Sequence, residues 1–294
     1  MRKPKHKPNT DTSMVALTLH RDYPIFHANR EHNESYTRID GFPRNGEDYE
    51  ILIVKGDRSL DGKDMSLFHY LLTALKHTAD GKLEDKDTEV TISLSTLCKK
   101  RGLEPRQQNF KGIEDNLEVL MGTKIRIITT TNNKVTSIRG KAGTDFDELI
   151  RLAENIRHYV MVPIIKKVDV NGDIAKIEIS KEYISSMKKK ALFFESTEMQ
   201  MLSSIGTIAY EKLQELVGGV ENDNSVKKRR FREDDINTRV GWDKLSDSAI
   251  RKKWSLLNKE WQEKTSLPVW KRITINGVKW REPKERKFDL FIHE

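Results

Sequence analysis

The amino-acid sequence predicts an α+β chain in which one plan, helix, short helix, long helix and strand hairpin, is laid out twice behind a basic N-terminal tail. Two patterns predict this. Apolar residues recur at three- and four-residue spacing in two pairs of long segments. Each second segment is followed by alternating segments joined at an Asn-rich or Asn-Gly turn. Charge is a third guide. The 53 Lys and Arg outnumber 45 Asp and Glu by eight, and residues 221–294 alone hold 19 against 13. At 294 residues the chain has the length of two domains, and composition divides it into a flexible basic extension (1–48), a first domain (49–185) and a second (186–294).

The tail carries Arg2, Lys3, Lys5 and Lys7. It reads either as a solubilising leader or as a loose phosphate-contacting arm. Residues 12–48 show no sustained periodicity beyond one candidate strand at Val15–Leu19. Tyr49–Val54 is a short apolar run ended by Lys55-Gly56-Asp57, as in a strand. Leu60–Ala79 carries Leu67, Phe68, Leu71, Leu72 and Leu75 on one helical face, with Asp80-Gly81 as its stop. Glu89–Leu94 alternates as a half-buried strand and runs into a short helix, Ser95–Gly102, expected to be capped by Ser95.

Pro105 then opens a longer helix, Gln107–Met121. Phe110, Ile113, Leu117 and Leu120 face inward, and Arg106, Gln107, Gln108, Lys111 and Asn116 face outward. Lys124–Ile128, the polar turn Thr129–Lys134 and Val135–Ile138 follow as a strand, loop and returning strand, the expected wing of this unit. Phe146–Ile156 reads as a short helix, and Tyr159–Val168 with Ile174–Ile179 as a hairpin turning on Asn171-Gly172. A linker fits near residues 180–195.

The second half repeats the plan. Glu198–Val217 is the first helix and Phe231–Gly241 the short one, and Ser246 or Asp247 caps a long helix through Glu263. Ile250, Trp254, Leu257 and Trp261 lie inward on that helix, and Ser248, Arg251, Lys252, Ser255 and Lys259 outward. Val269–Ile275, the Asn276-Gly277 turn, Val278–Arg281 and Phe288–His293 form the second wing. The whole therefore reads as two tandem winged-helix domains.

Several chemistries are excluded. No window approaches the roughly 18 consecutive apolar residues of a membrane span, and Met1–Asn9 has no apolar core behind it. A soluble, cytoplasmic chain without a secretory signal is expected. The single cysteine, Cys98, allows no intrachain disulfide and no multi-cysteine zinc site. Gly56–Asp64 (GDRSLDGKD) misses a phosphate-binding loop, having five residues between its glycines and Asp64 where a hydroxyl belongs. His27-Ala-Asn-Arg30 has the spacing of a recombinase motif but reads as a polar loop, and no two histidines stand one residue apart as a metal-dependent nicking enzyme requires. The expectation is no enzyme, no cofactor and no metal.

What the sequence offers is chemistry for duplex DNA, which needs cations for phosphates and a rigid helix carrying Arg, Lys, Asn or Gln to base edges. The candidates are Arg106, Gln107, Gln108 and Lys111 in the first unit, then Lys227, Lys228, Arg229, Arg230, Ser248, Arg251, Lys252, Ser255 and Lys259 in the second. The second wing adds Lys271, Arg272, Lys279, Arg281, Arg286 and Lys287.

Val90–Leu120 (VTISLSTLCKKRGLEPRQQNFKGIEDNLEVL) and the parallel stretch Ala209–Trp261 resemble the plasmid replication initiators that bind iterons, tandem DNA repeats, through two winged-helix domains. The resemblance covers Tyr49–Glu294, with the extension to Asp48 and the acid-rich Phe231–Gly241 departing from the pattern. It implies that the C-terminal unit makes the repeat-specific contacts through Arg251 and Lys252, while the N-terminal unit dimerises the chain and adds DNA contact. It also implies recruitment of host helicase and initiator proteins, and no catalytic site. The competing expectations are a winged-helix transcriptional regulator of plasmid or phage origin and, from another class, a DNA recombinase or nicking enzyme acting through Tyr36 or Tyr159.

Overall fold

The structure, a computed structural model, describes residues 12–16, 25–27, 32–43, 49–78, 88–129, 160–184, 191–195, 198–217, 229–232, 236–237, 239–242, 245–264, 273–276 and 287–292. It is α+β, with small sheets around one continuous apolar core. Strands β1 (Thr12–Ala16), β2 (Phe26–His27), β3 (His32–Pro43), β4 (Tyr49–Arg58) and β5 (Leu60–Asp61) lead into α1 (Gly62–Thr78). Then come β6 (Glu89–Ser93), α2 (Leu94–Lys100), α3 (Gln107–Gly122), β7 (Lys124–Thr129), β8 (Val160–Pro163), β9 (Ile165–Asn171), β10 (Ile174–Ile179) and β11 (Ala191–Glu195). A 3-10 turn (Glu198–Met201), α4 (Ser204–Val217), β12 (Arg229–Arg232), α5 (Asp247–Lys264), β13 (Ile273–Asn276) and β14 (Lys287–Ile292) complete the order.

One topology occurs twice. In the first copy β6 pairs antiparallel with β10, and β10 with β9, giving the order β6-β10-β9 around α2 and α3. In the second, β12 pairs antiparallel with β14, and β14 with β13, giving β12-β14-β13, with α5 lying between β12 and β13 in chain order. In each copy the first strand therefore meets the last, and the middle strand of the chain order takes the outer place. A long helix precedes each set, α1 in the first copy and α4 in the second.

The helices form where the apolar spacing places them. Phe68, Leu71, Leu72 and Leu75 of α1 are buried, with the Phe68 ring edge-on to Tyr183 at 5.0 Å and 75°. On α5 the inward Ile250, Trp254, Leu257 and Trp261 are all buried. Trp242, Trp254 and Trp261 stack edge to face at 6.0 and 6.5 Å, a favoured quadrupole geometry. Their polar tips are satisfied, since Trp254 Nε1 donates to Asn237 Oδ1 at 2.9 Å and Trp261 Nε1 to the Gly206 carbonyl at 3.2 Å.

The copies meet along α1 and α4. Gly62 N donates to Ser204 Oγ at 2.9 Å, and a Cβ on Gly62 would stand 2.0 Å from the Ser204 carbonyl oxygen, so only glycine permits this approach. Gln200 Nε2 donates to the Ser66 carbonyl at 2.5 Å, and the buried His69 Nε2 lies 3.1 Å from Glu211 Oε1.

Several expectations are corrected. The segment 124–138 is not the first hairpin of the α2–α3 unit: β7 pairs with β4 and β8 in a separate four-stranded sheet, β3-β4-β7-β8, while residues 135–138 lie outside the described residues. Strand β10 pairs with β6 on one side and β9 on the other instead, so the hairpin of this unit is the one expected at 159–179. Its two free turn residues are Gly172, at φ 60°, and Asp173, one step later than expected. Residues 12–48 contribute strands: β1 pairs with β11, which falls inside the linker expected near 180–195, and β3 runs for 12 residues against β4. Phe231–Gly241 is not helical throughout, because Arg229–Arg232 forms β12, with Phe231 opposite Phe288. The expected helix at 146–156 lies outside the described residues.

Candidate nucleic-acid interface

Helix α5 starts where Ser246 supplies its cap, the hydroxyl accepting from the Ala249 amide at 3.4 Å and the carbonyl from the Ile250 amide at 2.9 Å. At 3.6 residues per turn, Ser248, Arg251, Lys252, Ser255 and Lys259 fall within about 100° of arc, opposite the buried face. All five are exposed. Lys259 shares its charge with Glu263 at 3.7 Å, one turn on. Lys253 differs from its neighbours in packing over the Trp242 ring at 5.6 Å, which braces the helix against its core. Leu256 is 60% exposed on the flank of the basic stripe.

Helix α3 presents a shorter polar end. Arg106, Gln107, Gln108 and Lys111 are exposed at its first turns, and Arg106 pairs with Glu104. Arg106 makes no side-chain cap, so its first-turn amides are not closed off by that residue. Further along, Glu114, Asp115 and Glu118 turn the helix acidic, which confines a phosphate-facing role to its N-terminal end. Asn116, expected outward, is buried. Its Nδ2 donates to Asp64 Oδ1 at 2.5 Å.

That contact belongs to a buried network holding α3 in place. Arg58, at the end of β4, forks onto Asp64 with Nη1 to Oδ2 at 2.5 Å and Nη2 to Oδ1 at 2.8 Å. Asp64 Oδ2 also accepts the Asp61 amide at 2.8 Å. Burial pushes the Asp64 carboxyl above the usual aspartate range, and the Arg58 fork opposes that shift.

The hairpin turn positions α2. Asp173 accepts from Ser95 Oγ at 2.5 Å, Ser95 N at 2.7 Å and Ser93 Oγ at 2.7 Å. Ser93, rather than the expected Ser95, is the cap, its hydroxyl accepting from the Thr96 amide at 3.1 Å. These hydrogen bonds from Ser95 and Ser93 hold the Asp173 carboxyl below the usual aspartate range. An aspartate with a lowered folded pKa contributes stability above its unfolded value, about 3.9, and loses it as pH falls through the folded value. Asp173→Asn is therefore expected to melt below the wild type at neutral pH, with the gap closing below about pH 4. A gap independent of pH in parallel melting curves would remove the charge from this role.

The remaining candidates divide. Arg229 and Arg230 stand in β12, and Lys287 in β14 opposite Arg232. Lys227, Lys228, Lys271, Arg272, Lys279, Arg281 and Arg286 lie outside the described residues. Among the described residues no group of three His, Cys, Asp or Glu could hold a metal ion, and no helix is long and apolar enough to cross a membrane.

No protein-family model matches the chain, and no curated protein matches it. Solved structures do. The crystal structure of domains 2 and 3 of RctB matches with a TM-score of 0.51 at 8% identity, covering 90% of this chain and 92% of that one. A second crystal structure of RctB domains 2–3 gives 0.46 at the same identity and coverage. At this identity the first likeness is one of fold alone: the chain is similar in architecture to RctB domains 2 and 3.

Proposed function

We propose that the chain is a double-stranded DNA-binding replication initiator, its two copies acting as winged-helix units that read repeats at an origin. The carrying observation is the repeated sheet order with a long helix between its first strand and its hairpin in chain order, whose second instance, α5, exposes Ser248, Arg251, Lys252, Ser255 and Lys259 on one stripe. A helix of that kind fits the major groove, where Arg and Lys meet guanine and hydroxyls meet any base, while the β13–β14 hairpin lies along the backbone. The shared architecture with RctB, a replication initiator, supports the same reading. In it, the first copy contributes dimer contacts and the Gln107 and Gln108 end of α3, and host helicase and initiator proteins are the partners. No step is enzymatic.

The test is selection of bound duplexes from a fragment library of the source replicon at physiological salt, which suppresses phosphate-only binding. Enrichment of clustered direct repeats beside an AT-rich stretch is expected. A single palindrome at a promoter would shift the reading to a transcriptional regulator, and no enrichment would refute sequence-specific binding.

A further inference from the structure

Where the two copies meet, the cations Arg58, Lys63, Arg101 and Lys264 face the carboxylates of Asp61, Asp64 and Glu260, and those carboxylates are committed. Asp64 is forked by Arg58. Asp61 Oδ1 takes the backbone amides of Lys63 and Asp64 at 2.8 and 3.1 Å. Glu260 takes the Ser203 amide at 2.6 Å, the Ser203 hydroxyl at 2.7 Å and the Lys264 ammonium at 3.2 Å. Lys63 and Arg101 are left without a carboxylate partner among the described residues.

Both are half-buried. Lys63 Nζ donates to the Leu202 carbonyl at 2.5 Å, and Arg101 Nη2 reaches the Lys63 carbonyl at 3.5 Å. Arg101 Nε is enclosed with no hydrogen-bond partner. Carbonyl dipoles satisfy a donor without neutralising its charge, and the nearby carboxylates Asp61, Asp64 and Glu260 act on these two half-buried cations only from beyond ion-pair contact, which offsets their burial in part. Burial first, then the charges of Arg101 and Lys264, hold the Lys63 ammonium below the usual lysine range. Burial likewise lowers Arg101. A fold that holds two such groups together at its central junction has a place for an anion.

We infer that Lys63 and Arg101 form a seat for a phosphoryl oxyanion, supplied by the backbone of bound DNA. A planar guanidinium beside an ammonium matches the several oxygens of a phosphate. Lys63 opens α1, Arg101 closes α2 immediately before the turn into α3, and Leu202 precedes α4, so an anion here would tie both copies to one strand of DNA. The seat rests on the cations themselves, and its assignment to DNA rests on the function proposed above.

The full-length chain is tested as Lys63→Met, Arg101→Met and the double variant. Removing a half-buried cation that has no ion-pair partner is expected to leave the urea midpoint unchanged or raised. Binding to the selected duplex should weaken, and the slope of log affinity against log salt should shrink by about 0.9 for each phosphate that is no longer neutralised. In a second arm, inorganic phosphate replaces chloride at constant ionic strength while melting is followed. A phosphate-dependent rise in melting temperature in the wild type, absent from the variants, supports the seat and, with an unchanged salt slope, moves its source from DNA to a free phosphate. An unchanged salt slope with no phosphate response overturns the proposal, whether or not the variants lose stability. A wild type that binds no DNA would sink the initiator reading, and the phosphate arm would still decide the seat.

Discussion

Asp64→Ala is expected to lower the folding free energy by about 3–5 kcal/mol, because it leaves the Arg58 guanidinium buried without its anion. Against a total of about 5–15 kcal/mol for a native domain, that loss is large. In urea, with a slope of about 1–3 kcal/mol per molar, the midpoint should fall by more than about 1 M. Asn116→Ala removes one donor from the same carboxylate and should cost about 1–3 kcal/mol. The double variant Asp64→Leu with Arg58→Met discriminates between two accounts. If the penalty of Asp64→Ala is an orphaned charge, removing both ions recovers most of it. If the double variant is as unstable as the single one, the geometry of the network matters rather than its charge balance. A single-variant loss below about 1 kcal/mol would contradict the buried network altogether.

That network also shows where local pattern ends. Asn116 sits between Asp115 and Leu117 on a helix whose apolar stripe is clear, and by spacing it belongs to the polar side. Its burial follows from Asp64, 52 residues earlier, and no short window of sequence contains both. Strand β7 shows a different limit. Lys124–Thr129 alternates as a strand should, but alternation states that a strand exists and which faces it has, not which partner it pairs with. Its partners are not the alternation that follows most closely but β4, about 70 residues upstream, and β8. The β9–β10 hairpin is legible because its turn is local, although the two free residues are Gly172 and Asp173. Asp173 explains the shift, since its carboxylate and carbonyl are used to seat the first turn of α2. At β12 a run of charges hides a short strand. Both long helices of the candidate interface, and the inward faces that orient them, are read directly, because 3.6-residue spacing is a property of the segment itself.

The stripe on α5 carries the second large expectation: Arg251→Ala with Lys252→Ala should lower affinity for the selected repeat by about 1–3 kcal/mol for each base edge that is no longer met, each 1.4 kcal/mol being tenfold. The fold should be spared, since both residues are exposed opposite the buried Ile250, Trp254 and Leu257. Two quantities separate reading from anchoring. A residue that meets a base edge lowers affinity for the repeat more than for unrelated duplex and relaxes preference at one position. A residue that meets only phosphate weakens both equally and reduces the salt slope. Lys253→Ala is the internal control, because that side chain lies over Trp242 on the inner flank and should affect stability before sequence preference. Gln107→Ala with Gln108→Ala asks the same question of α3, whose acidic later turns leave only its first turns suited to DNA. If the Arg251/Lys252 variant keeps its sequence preference but weakens equally for the repeat and for unrelated duplex, while the α3 variant loses preference, the first copy is the reader and the α5 stripe serves only to hold the phosphates.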